Sequence, residues 1–206
     1  MNKQYFRYLI DTLTGKDNLK LCREEAISFH KNHTASECFD TAMELYASEH
    51  FQIQDVAVFL CGYIAAERED ALSFLKDTVS LHPSWKVQEV LAMAFDTFCK
   101  ANGYEESVPI LQDWLNGDNA NTRRAVTEGL RIWTSRPFFK DYPEKAIELI
   151  ASLKDDESEY VRKSVGNSLR DISKKFPDLV KAELQGWDLS SKRILHVYRL
   201  AGRLVL

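Results

Sequence analysis

Apolar side chains recur along this chain at intervals of three and four, in stretches punctuated by glycine, proline, asparagine and serine. That period places them on one face of an α-helix. Tyr5, Phe6, Tyr8, Leu9 and Leu13 predict a helix over 3–13, broken by Thr14-Gly15-Lys16-Asp17-Asn18. Leu19, Leu21, Ala26, Ile27 and Phe29 predict the next over 19–32. Thr34 with Glu37 has the pattern of a capping box and opens a helix to about Glu49. Residues 53–66, with Val56, Val58, Phe59, Leu60, Tyr63 and Ile64, predict a central, buried helix. Residues 69–81 follow until His82-Pro83-Ser84, where Ser84 is placed to cap a helix from Trp85 to about Ala101. Further helices are predicted over 106–115, from Asn121 to just before Pro137, and over 144–153 with Pro143 in the first turn. Two more span Glu159 to about Lys175 and Pro177 to about Leu184, and Ser190 or Ser191 caps a last one. No stretch alternates as a strand requires.

The helical pattern repeats itself. Asn121 to Trp133 returns in altered form at Glu159 to Ile172: Arg124 matches Lys163, Val126 matches Val165, Leu130 matches Leu169 and Arg131 matches Arg170, each 39 residues apart. A weaker copy lies at Trp85 to Asp96, where Glu89 falls 35 residues before Arg124. Such a period with one apolar face predicts an all-α fold, an α-solenoid of five to six stacked helical hairpins forming a single domain over 1–206.

Composition adds little to the fold but bounds the function. The 206 residues are 45% hydrophobic and carry a net charge of −4. That charge is uneven: residues 1–118 hold 10 Lys/Arg against 19 Asp/Glu, whereas residues 119–206 hold 17 against 12. No apolar run is long enough to span a bilayer, which predicts no membrane partner. The start lacks the pattern of a signal peptide. Cys22, Cys38, Cys61 and Cys99 are scattered, as buried thiols of a reducing, cytoplasmic protein would be. His30 and His33 have no third ligand nearby, so no metal is expected, and no motif calls for a cofactor. Nothing indicates dimerisation, and a monomer is expected.

Equivalent positions of stacked hairpins line up along one surface. Glu89, Arg124 and Lys163 therefore predict one row, with Met93, Glu128 and Asn167 a turn further along. Arg131 and Arg170 extend the basic character. Such a groove suits a phosphate backbone, because guanidinium forks pair with phosphate oxygens. The same spacing also fits an inter-repeat salt-bridge ladder, with Glu89 and Glu128 neutralising Arg124 and Lys163.

Trp85-x-x-x-Glu89, then Arg123-Arg124-Ala125, then Tyr160-Val161-Arg162-Lys163-Ser164-Val165-Gly166-Asn167-x-Leu169-Arg170 resembles the bacterial DNA alkylation repair family of HEAT-like-repeat alkylpurine DNA glycosylases. The resemblance is strongest from Trp85 to Trp187. It implies a right-handed solenoid whose concave basic groove holds double-stranded DNA and which excises N3- or N7-alkylated purines. The chemistry implied is modest. A cationic base leaves readily, and a carboxylate steadies the oxocarbenium-like sugar while indole rings hold the cationic nucleoside.

Carried over residue by residue, the resemblance gives Trp85 the role of the first lesion-binding tryptophan and Arg124 that of the phosphate-binding arginine. Arg123, Arg131, Arg162, Lys163, Arg170 and Asn167 join Arg124 as expected DNA contacts. Glu89, however, stands where the family has a catalytic aspartate, and Asn167 where it has a second tryptophan. Trp85 also comes early in the chain, which implies that an N-terminal helix gripping the lesion is missing. The expectation is a DNA-binding family member with weak or absent glycosylase activity. The alternatives are an active glycosylase using Glu89 and a non-catalytic, protein-binding helical scaffold, the last favoured by the isoelectric point of about 5.8.

Overall fold

The structure is a computed structural model that describes residues 3–15 and 18–205. Of the predicted breaker at 14–18, Lys16 and Asp17 lie outside the described residues, as do Met1 and Asn2 of the signal-peptide reading. Thirteen α-helices, and no strand, occur among the described residues. They fall into two compact units, Met1–Asn102 and Gly103–Leu206.

The first unit holds α1 (Lys3–Leu13), α2 (Leu19–Asn32), α3 (Ala35–Tyr46), α4 (Phe51–Ile64), α5 (Glu69–Asp77) and α6 (Trp85–Asn102). As its sequence predicts, α4 is the centre: it packs against α2, α3, α5 and α6, and most of its side chains are buried. Full burial of a Leu, Ile or Phe contributes about 1.5–3 kcal/mol, so this one helix anchors the unit. The contact with α6 is close because both partners are small. A Cβ on Gly62 would lie 2.7 Å from the Ala94 Cα. The junction before α6 is closed by Gln88, whose Nε2 donates to the carbonyls of Val79 (3.0 Å), Ser80 (3.2 Å) and His82 (2.8 Å).

The second unit holds α7 (Val108–Leu115), α8 (Ala120–Gly129), α9 (Pro137–Asp141), α10 (Pro143–Ala151), α11 (Glu159–Ser173), α12 (Pro177–Gln185) and α13 (Lys192–Ala201). Here α11 is central, packed against α8, α10, α12 and α13. Leaving α9 aside, the helices run as six successive pairs, three in each unit. This is the all-α, HEAT-like hairpin fold that the repeat predicts.

Of the caps read from the sequence, Thr34 and Ser191 are in place, and Asn18 and Ser158 act as caps besides. Asn18, Thr34, Ser158 and Ser191 each accept a hydrogen bond from a backbone N–H of the following turn, and Glu37 completes the capping box with Thr34. Most boundaries agree within a few residues, and one differs more widely. The helix opened near Asn121 ends at Gly129 and does not reach Pro137. The carbonyl of Thr127 explains the early end. It accepts from the Trp133 indole Nε1 (3.3 Å) and the Ser168 hydroxyl (3.2 Å), while the Arg131 amide turns to Glu128. Burying the whole Trp133 side chain needs a partner for its N–H, and the helix yields a carbonyl to supply it. Pro137 then begins the short α9, which periodicity alone did not reveal.

Candidate nucleic-acid interface

In the first unit the site residues sit on the first turns of α6. Trp85, its first residue, is 69% exposed. Glu89 is half-buried one turn later. Together with Leu19, Asp55 and Lys86 they line a cavity of about 290 Å³. The Lys86 ammonium lies 4.2 Å from the Phe51 ring centroid and 5.9 Å from that of Trp85. Asp55 is buried on α4 and is the residue that sequence reasoning missed. A signal was there: it precedes Glu89 by 34 residues, close to the 35 that separate Glu89 from Arg124. Two carboxylates beside an exposed indole favour a positively charged group, with Lys86 offsetting part of that preference.

In the second unit the expected cations take different places. Arg123 forms a two-bond fork on Asp156, Nε to Oδ2 at 2.6 Å and Nη2 to Oδ1 at 3.0 Å. Its Nη1 also donates to the carbonyls of Gly117 (2.8 Å) and Asp118 (2.9 Å). Arg162 donates through Nη1 to the carbonyls of Asp156 (2.6 Å) and Glu157 (2.9 Å). Arg131 lies past the end of α8 and pairs with Asp171 (2.8 Å) and with Glu128 (3.5 Å). Burial pushes the Asp171 carboxyl up, but the Lys174 ammonium and the Arg131 guanidinium outweigh it and hold the group below the usual carboxylate range. These three arginines tie loops and neighbouring helices together.

Lys163, Asn167 and Arg170 recur with Glu159 on the face of α11 opposite buried Val161, Val165 and Leu169. Lys163 is exposed, pairs with Glu159 at 2.7 Å and lies 5.9 Å from the ring of Tyr160, itself 74% exposed. Arg170 approaches Asp171 only to 3.8 Å. Arg124 is half-buried on α8, the helix packed beside α11. The pairs that Lys163 and Glu128 make lie within single hairpins, Glu159 with Lys163 and Glu128 with Arg131, and are not rungs of an inter-repeat ladder.

These features define a helical-hairpin repeat protein with an acidic and aromatic cavity in one unit and a cationic helix face in the other. Residues 19–189 match the family described as DNA alkylation repair enzyme, and the chain belongs to that family. The structure superimposes on the crystal structure of AlkD2 from Streptococcus mutans with a TM-score of 0.96 and 49% identity, covering 98% of each chain. It shares its fold with an alkylpurine DNA glycosylase of Pseudomonas fluorescens, AlkC, solved bound to DNA containing an abasic site analog. There the TM-score is 0.50 and the identity 23%, over 92% of this chain and 62% of that one. An uncharacterized Bacillus subtilis (strain 168) protein, YhaZ, is 38% identical over 87 residues. That match spans 40% of this chain and only 24% of the length of YhaZ. No helix among the described residues is long and apolar enough to cross a membrane.

Proposed function

We propose that the chain binds double-stranded DNA through cationic helix faces and has weak or no alkylpurine DNA glycosylase activity. The observation that carries this reading is the make-up of the two outward positions, Glu89 on α6 and Asn167 on α11. Glutamate keeps the carboxylate but moves it by one methylene, and a displacement of about 1 Å at a reacting centre costs about a hundredfold in rate. Asparagine offers no aromatic face to a cationic base. The basic row of Arg124, Lys163 and Arg170 needs neither residue to hold phosphates.

A second reading has one observation of its own. Asp55 and Glu89 share a cavity with Trp85, so a carboxylate and an indole remain close together for an active glycosylase.

A methylated duplex serves as probe for both. Its affinity should fall steeply between about 50 and 200 mM salt, weaken in Arg124→Ala, and be accompanied by no release of 7-methylguanine above the spontaneous rate. Robust release that disappears in Glu89→Gln establishes the second reading in place of the first. Association that ignores salt sinks DNA binding and leaves the protein-scaffold alternative.

A further inference from the structure

Arg123, Arg131 and Arg162 already spend guanidinium donors on carboxylates or backbone carbonyls, which leaves each fewer for DNA. The last helix is different. On α13, Lys192, His196 and Arg199 recur at intervals of four and three, and Arg203 continues the row in the turn that follows. All four are exposed, on the face opposite buried Ile194, Val197 and Ala201. No aspartate or glutamate occurs from Lys192 onwards. Among the described residues Lys192, Arg199 and Arg203 make no ion pair. Three cations that make no ion pair inside the chain contribute little to the fold and repel one another, which suits a surface that meets an external polyanion.

The row is also firmly presented. Ser191 caps α13 and donates its hydroxyl to Asp155 Oδ1 (3.1 Å) in the loop before α11. Gly166 of α11 lies so near that a Cβ there would be 2.6 Å from the Leu200 Cβ. This close packing seats the α13 row beside Lys163, Asn167 and Arg170. His196 is among the groups that, after Lys163, draw the Glu159 carboxyl down, as expected if the two rows adjoin.

We propose that α13 is the principal phosphate-binding element of the second unit, with Lys192, Arg199 and Arg203 contacting the DNA backbone. This rests on the DNA-binding reading above and assigns its main contacts to residues outside the repeat motif. At 1.5 Å per residue, Lys192 and Arg199 stand about 10 Å apart along the helix. One strand of B-DNA carries a charge every 3.4 Å or so of axis, and the row therefore spans about three phosphates. Such contacts are blind to the bases and must act equally on intact and alkylated duplexes.

The test is the salt dependence of binding to one labelled duplex for wild type, R199A/R203A and R199K/R203K. Loss of two phosphate contacts lowers the slope of log K against log salt by about 1.8. The alanine variant should show that drop and bind at least about tenfold more weakly at low salt, with unchanged thermal stability. The lysine variant should keep the wild-type slope. Wild-type binding with an unaltered slope in R199A/R203A overturns the assignment to α13 and leaves DNA binding standing. Absence of salt-dependent binding in the wild type overturns both.

Discussion

Arg123 and Arg124 are neighbours of identical type, yet they take different places in the fold. Successive residues on a helix point about 100° apart, so one guanidinium reaches the 117–118 loop and Asp156 while the other follows the row of α8. The sequence pair Arg-Arg carries no mark of this, because Asp156 lies 33 residues on, in the next hairpin. The Asp156 side chain is only 4% exposed and loses its counterion if Arg123 is removed. Arg123→Ala is therefore expected to cost about 3–5 kcal/mol, the range for orphaning a buried charge. Thermal or urea denaturation measures it. The same substitution on a mere surface pair would cost under about 1 kcal/mol.

At the scale of elements, close helix contacts decide what is tolerated. Gly62 is flush against the backbone of Ala94, where no flexible side chain can yield. Gly62→Ala lowers the intrinsic cost of glycine in a helix, yet the clash forces α4 and α6 apart. The expected net loss is about 1–3 kcal/mol, seen as a lowered denaturation midpoint. An unchanged or raised midpoint would show that α6 can shift freely. Helix existence and capping were legible from period and cap residues, as α3 and α13 show. The end of α8 was not, because it depends on Trp133 and Ser168 competing for one carbonyl, a contact that appears only once α11 is packed. Asp55 was hidden for a related reason: an isolated acid in the most apolar helix has no local partner in sequence.

Over the whole molecule, the hairpin repeat was legible because stacking copies an apolar pattern at a near-constant period. The division of labour among its cations was not, since charge counts treat an arginine inside a fork and one on an open face alike. Residues 119–206 carry 17 basic against 12 acidic residues, but much of that excess is internal wiring around Asp156 and Asp171. Open charge remains on α11 and α13, and Lys140, Lys175 and Lys181 are exposed elsewhere in the second unit.

Of the four tryptophans, Trp114, Trp133 and Trp187 are 1%, 0% and 7% exposed, whereas Trp85 is 69% exposed. The indole beside the acidic cavity is thus by far the one most open to a dissolved quencher. Iodide or acrylamide should extinguish one component of the intrinsic fluorescence and spare the rest, and Trp85→Phe should abolish that component. Any ligand that settles over Trp85 must shield it, so the protein carries its own optical gauge of the site, readable without a label and before any substrate is known.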